Sequence, residues 1–354
     1  MPVQLSEKVQ PDENAVEKAD EALEKLRIFD LHCDTLDRLA LRDSSVYPGF
    51  AKQNTSEGIS PARMSSLFNN DAHVSLARMS NYAWCQCFAV FVPDVLFGEE
   101  AWRLYEQVTG FFSEQCEAHA QEVVAIRDSV EMSPALTAGK CAAILTVEGL
   151  SFLTDSLAPL DRLERDGVRM VTLTWNAQNA VASGKQTHAG FSVFGRKVVR
   201  ELEARRIIVD VSHLNDEGFA ELLDFSQRPF VASHSNSCAV CDHPRNLTDD
   251  QFRAISSQGG LVGLNFCNNF LISEKRDPTP EDVLRHIEHW LALGGEHAIA
   301  LGSDYDGCDV PSWLRPADRL LVLYEETMRE FGEDIAKRLF FDNAFDFFVR
   351  NARV

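Results

Sequence analysis

Apolar, β-branched and aromatic residues gather into eight short runs along this chain, at 27–35, 83–93, 141–148, 168–175, 206–213, 229–234, 260–267 and 298–304. Runs of this length, apolar at successive rather than alternate positions, suit strands buried on both faces of a parallel sheet. Between the later runs the period lengthens to that of helices, at 158–166, 193–205, 215–226, 248–258 and 280–293. Thr248 ahead of Asp249 and Asp250 is a good helix N-cap. Two more helical stretches, 317–330 and 332–349, follow the last run.

Strand and helix alternate over short connections, which predicts a parallel α/β sheet. Eight strands with no antiparallel half predict closure into a TIM (β/α)8 barrel. A doubly wound open sheet is the alternative architecture. The segments 36–82 and 94–140 are too long for simple connections and read as elaborations, part loop and part helix, after the first and second strands. Residues 1–26 read as an N-terminal helical extension, with Ala15, Ala19, Ala22, Leu23 and Leu26 near one face of a helix over 13–26. The barrel and its C-terminal helices then occupy 27–354, divided by no Gly/Ser/Pro linker.

Several runs deliver a polar residue where they stop. His32 and Asp34 lie in IFDLHCDT, Glu148 in AAILTVEG, His213 in IIVDVSH and His234 in PFVASH. An unpaired histidine or carboxylate at a buried strand tip costs several kcal/mol, and convergence on a metal centre removes that cost for all of them together. One such histidine is more often a hydrogen-bonded loop residue; five such groups favour the metal. His32 and Asp34 are two apart, so both leave the same face of a strand while Cys33 turns away. In a barrel these tips form the C-terminal face, where active sites lie.

Composition narrows the function classes. With 45% hydrophobic and 25% charged residues and no apolar stretch long enough to span a bilayer, the chain is expected to be soluble. Its N-terminus is polar and acidic where a secretory signal needs a basic start and an apolar segment, so a cytoplasmic location is expected. Nine cysteines, an odd count, include Cys33, Cys87, Cys141 and Cys267 within apolar runs, which fits buried reduced thiols better than a disulfide framework. Cys238 and Cys241 form a C-x-x-C with no second pair at zinc-ribbon spacing, and read as two ordinary loop thiols. The net charge of −20 argues against nucleic acid and anionic membranes as partners.

Beyond the ligand-bearing tips, DLHCD at 30–34, VEG at 147–149, RMVTLTWN at 169–176, FGRKVVREL at 194–202, DVSH at 210–213 and SHSNS at 233–237 stand in order along the chain. RN at 245–246, NFCNNF at 265–270 and GSDYDG at 302–307 follow. With these motifs the chain resembles the renal (membrane) dipeptidase family, zinc peptidases of the amidohydrolase superfamily, from Ile28 to about Val349. The resemblance implies two Zn2+ per chain, with Co2+ or Mn2+ able to substitute. Glu148 would bridge the ions, His32 and Asp34 would complete one site, His213 and His234 the other, and a bridging hydroxide would be the nucleophile. Many other amidohydrolases bridge their metals with a carboxylated lysine, and no apolar run here ends in Lys.

By the same resemblance Arg245 would grip the substrate's free C-terminal carboxylate and Asp304 would serve as the acid/base. Two positions depart from the best-known mammalian members. Trp175 stands in place of a histidine thought to assist the tetrahedral intermediate; its indole N–H can donate a hydrogen bond but cannot become cationic. Phe270 stands in place of a tyrosine near the substrate, and both changes make the pocket more apolar. The expectation is a cytoplasmic dipeptidase acting on free dipeptides, L,D-dipeptides among the candidates, with no macromolecular partner beyond a candidate homodimer. Its rivals are a metal-dependent amidohydrolase acting on another amide, lactam or ester, and a non-catalytic barrel that only binds.

Overall fold

The computed structural model describes residues 25–41 and 66–352, so the helix expected over 13–26 falls almost wholly outside the described residues. Seven of the eight apolar runs contain a strand: β1 Arg27–Cys33, β2 Ala83–Phe91, β4 Cys141–Glu148, β5 Met170–Thr172, β6 Ile208–Asp210, β7 Val262–Leu264 and β8 Ile299–Leu301. The remaining strand, β3 Val123–Ile126, lies inside the segment read as an elaboration. All pairings between these strands are parallel, in the order β6-β5-β4-β2-β1-β8-β7. β3 pairs with Cys141–Ile144 of β4, below the point where β5 takes over the same edge at Thr146. The molecule is thus an α/β fold built on one curved parallel sheet.

The run at 229–234 is a correction to the expected strands. It forms no ladder and makes one bridge to each side, Val231 to Asp210 and Ala232 to Val262. Val231 exchanges hydrogen bonds with Val209 and Val211, and Ala232 with Leu261 and Gly263. Each of the two residues faces a different neighbour, so neither neighbour accumulates the repeated bonds of a strand. Pro229 lacks a backbone N–H to extend the pairing.

The helices fall close to their expected bounds, at Ala158–Asp166, Val193–Ala204, Asp216–Phe225, Asp249–Ser257 and Pro280–Ala292. Thr248 caps Asp249–Ser257 with a capping box to Gln251. The stretch expected as one helix over 332–349 divides into Glu333–Lys337, a π turn at Arg338–Asp342 and Asn343–Asn351. The segment 94–140 carries a 21-residue helix, Gly98–Ala118, and a short one, Met132–Thr137.

Two apolar cores result. One fills the space between sheet and helices. The other gathers Phe29, Cys87, Ile144, Met170, Ile208, Val231 and Ala300 from around the sheet, together with Phe341, Phe347 and Phe348. Phe29, near the start of β1, meets Phe348 at 4.9 Å and Phe341 at 6.3 Å between ring centroids, so the C-terminal segment covers the end of the sheet away from the ligand-bearing tips. No helix among the described residues is long and apolar enough to cross a membrane.

Candidate metal centre

The strand ends bring all five proposed ligands together. His32 Nε2 lies 3.5 Å from Asp34 Oδ2 and 3.6 Å from Glu148 Oε2. The other oxygen of the same carboxylate, Glu148 Oε1, lies 2.9 Å from His213 Nε2 and 3.5 Å from His234 Nε2. The His213 and His234 Nε2 atoms are 3.1 Å apart, and the His32 and His234 rings stack at 3.9 Å. Asp304 joins His32 and Asp34 in one group of candidate ligand atoms, while His32, Glu148 and His234 form another.

Local backbone geometry explains how these side chains meet. The pairing of β1 with β2 slips between Asp30 and Cys33. Asp30 accepts from Gln86 Nε2 and from both the backbone N–H and the hydroxyl of Ser303. Asp210 makes the matching arrangement beside the other histidines, accepting from the N–H and hydroxyl of Ser233 and from the Thr172 hydroxyl. Each buried aspartate ties a ligand-bearing segment to its neighbour. His213 and Asp304 both adopt left-handed backbone, with φ of 69° and 60°. Such a conformation in a non-glycine residue costs about 1–3 kcal/mol and concentrates at functional sites.

Proton positions show what the cluster requires. The Asn176 side-chain oxygen lies 3.1 Å from His213 Nδ1 and takes its proton there, leaving Nε2 with a bare lone pair. Ser233 Oγ gives its proton to Asp210, so at 2.7 Å from His234 Nδ1 it acts as the acceptor, and His234 Nε2 is bare as well. Two imidazole lone pairs and the Glu148 carboxyl therefore face one another with no imidazole proton between them. Burial, then the positive charges of Arg245 and His32, hold His213 and His234 well below the usual imidazole range. Burial also raises Glu148 well above the usual carboxylate range, against the pull of His32. Burial would lower His32, but the carboxylates of Asp34 and Glu148 outweigh it and push it up to about 10. Neutral imidazole nitrogens and carboxyl oxygens gathered at one point make a donor set that fits divalent cations, and His with carboxylate ligands suits zinc.

Above the cluster opens a cavity of about 630 Å3. Arg245, Trp175, Phe270 and Asp304 all line it. Arg245 is buried, and Nη2 donates to the His234 carbonyl at 3.3 Å while Nε has no partner among the described residues. Trp175 stands edge-on to Phe91 at 5.0 Å, forming an aromatic wall. Asp304 accepts from Asn265 Nδ2 at 3.0 Å; burial raises its carboxyl to about 6, with His32 and Asn265 pulling the other way.

Asn176, Asn265 and His243 were not legible as site residues. The two asparagines sit within motifs, one after Trp175 and the other opening NFCNNF, yet an uncharged amide gives no pattern of its own. The nine cysteines are all free, and the Cys238 thiol points at the His243 and Asn246 carbonyls.

Comparison with known proteins places this geometry. The sequence profile of the membrane dipeptidase family (peptidase family M19) matches residues 16–350. An uncharacterized protein in the pqqA 5' region of Klebsiella pneumoniae is 35% identical over 204 residues, 54% of this chain and 75% of that protein. An uncharacterized dipeptidase of Schizosaccharomyces pombe is 35% identical over 189 residues, 52% of this chain and 46% of its own length. A metallo peptidase from Rhodobacter sphaeroides, solved liganded with a phosphinate mimic of the dipeptide L-Ala-D-Ala, superposes with a TM-score of 0.83 at 26% identity, covering 93% of this chain and 100% of that one.

Proposed function

This chain belongs to the membrane dipeptidase family, a family of metallohydrolases, and from that premise we propose that it is a two-zinc dipeptidase hydrolysing free dipeptides, L,D-dipeptides among them. The observation that carries the reading is the divided carboxylate of Glu148, one oxygen toward His32 and the other toward His213 and His234. On this reading Glu148 would be shared between the two ions, with His32 and Asp34 holding one and His213 and His234 the other. The ions would make hydroxide available from water at neutral pH and polarise the scissile carbonyl.

The chain's own groups do the rest. Asp304, with a carboxyl near 6 and one oxygen fixed by Asn265, is suited to take a proton and return it to the leaving amine at neutral pH. Arg245, a buried guanidinium with a free Nε–H and no carboxylate partner among the described residues, is suited to a substrate's terminal carboxylate. Trp175 and Phe91, packed edge to face, give the same cavity an apolar stretch of wall. The L-Ala-D-Ala mimic bound by the Rhodobacter protein supports the inclusion of L,D-dipeptides. The bridges at Val231 and Ala232, with an inner core drawn from every part of the sheet, support a closed (β/α)8 barrel. Nine unpaired thiols support a reducing compartment, the cytoplasm.

The test is reconstitution followed by a substrate panel. Protein stripped by a chelator should regain activity as zinc approaches about two ions per chain. It should then cleave L,L- or L,D-dipeptides and spare C-terminally amidated ones. Full activity with one ion refutes the bridged pair. Equal cleavage of free and amidated dipeptides moves the chain to another amide, lactam or ester.

A further inference from the structure

The end of the cavity that holds Arg245 contains a second donor. Pro244 sits at the second position of a turn in which the Asn246 N–H donates to the His243 carbonyl at 2.9 Å. Proline presets its own φ for that place, so the turn is rigid. Within it, the Arg245 backbone N–H donates to His243 Nδ1 at 3.2 Å. An imidazole nitrogen that accepts a hydrogen bond carries no proton, so the neutral ring bears its proton on Nε2. Burial and the neighbouring Arg245 charge hold His243 below the usual imidazole range, which keeps the ring neutral and the tautomer single at neutral pH.

Ring orientation is fixed as firmly as the tautomer. Phe270 packs against His243 at 4.5 Å between centroids, and the Arg245 guanidinium carbon lies 5.5 Å from the centre of the same phenyl ring. The Phe270 carbonyl in turn accepts from Asn246 Nδ2 at 2.8 Å and Asn236 Nδ2 at 3.3 Å. His243, Arg245 and Phe270 all line the catalytic cavity, and among the described residues nothing accepts from His243 Nε2. A locked donor without an acceptor, held through an aromatic ring beside a guanidinium with an unused N–H, describes a seat for an anion with two oxygens.

We propose that His243 is a second reader of the substrate's terminal carboxylate, its Nε2–H donating to that group alongside Arg245. This rests on the dipeptidase reading above. Phe270 then acts as the spacer that sets the two donors apart.

Amide side chains separate the two ring nitrogens. In His243→Asn the amide oxygen replaces Nδ1 and still accepts from the Arg245 N–H, but the donor is gone. In His243→Gln the longer amide reaches the place of Nε2. Both variants, with Arg245→Met and wild type, are measured as zinc-loaded full-length protein on a free dipeptide and its C-terminal amide. Losing a hydrogen bond to a charged group, felt equally before and during the reaction, should raise KM for the free dipeptide about tenfold or more in His243→Asn and leave kcat nearly unchanged. The amide should be affected far less, and His243→Gln should recover much of the loss. An unchanged KM in His243→Asn, an equal rise for both substrates, or no recovery in His243→Gln overturns the proposal. If Arg245→Met separates free from amidated substrate and His243→Asn does not, only the role of His243 fails. If wild type itself does not separate them, the dipeptidase reading fails first.

Discussion

Replacing Gly307 with alanine should unload the metal centre while leaving the fold standing. A Cβ at this position would stand 1.9 Å from Asp34 Oδ2 and 2.6 Å from Asp304 Oδ1. Ordinary contact begins at 3.4 Å, so the Asp34 oxygen must retreat by the difference, 3.4 less 1.9, about 1.5 Å. Metal–ligand distances tolerate roughly 0.2 Å, so a retreat of that size removes Asp34 as a ligand. Gly307 is not in the left-handed region, and a short carboxylate can rotate aside, so neither backbone strain nor the core opposes the change. Zinc affinity should fall by about 10–100-fold or more, the range seen when ligand placement is disturbed, and kcat/KM should fall with it. The assay is zinc per chain after equilibration with a weak chelator, read beside the thermal midpoint and kcat. Gly110→Ala is the control: it lies within the helix Gly98–Ala118, has open space around it, and should add about 0.5–1 kcal/mol of stability without touching zinc. A Gly307→Ala protein with wild-type zinc affinity and wild-type kcat would refute the placement of Asp34 at the ion.

Other outcomes follow from the same geometry. Glu148→Gln should fail to retain two ions, because an amide nitrogen cannot take the place of a second bridging oxygen; a variant with two zinc ions and full activity counts against the bridge. Asp304→Asn should lower kcat by about 100-fold or more while zinc content stays near normal, and an unchanged kcat returns Asp304 to a turn-forming role. His286 tests linkage away from the site: Nδ1 accepts from the Ser237 N–H, and Nε2 donates to the Leu271 carbonyl. Burial lowers its pKa from 6.5 to about 4, so the unfolded chain binds more protons than the folded one between those values. The stability held by the neutral ring is present above pH 6.5 and is lost as pH falls toward 4, amounting to about 3 kcal/mol. Urea unfolding of His286→Gln should therefore show a shallower loss from pH 7 to 4 than wild type, and an identical slope would sink the assignment.

How much of this was legible in the sequence depended on where the physical cost fell. His32, Asp34, Glu148, His213 and His234 stood out because each ends an apolar run, where an unpaired polar group is expensive. Long runs such as β2 and β4 announced themselves through continuous burial. β3 did not: only four residues long, with Val124 and Ala125 partly exposed, it offers too little apolar sequence between two helices to mark a strand. The run at 229–234 erred the other way, apolar because it is buried, yet too short to pair at length with either side. The slip in the pairing of β1 between Asp30 and Cys33 leaves no mark in an alternating pattern. Partners such as Ser303 for Asp30, 273 positions apart, exist only once the sheet is curved.

Those paired aspartates bear on the protein's life before it works. Asp30 with Ser303 and Asp210 with Ser233 fasten the ligand-bearing segments through neutral and charged hydrogen bonds that need no ion. The fold itself therefore holds the ligand-bearing segments in register, and the ion adds to an arrangement that the polypeptide has already begun. The ion such a set accepts is decided by its surroundings as much as by its ligands, because affinity alone ranks the candidate metals in an order that supply must correct. Chelation and reloading should then be reversible without refolding, which makes the enzyme's working metal a property of the cell's ion pools as much as of the gene.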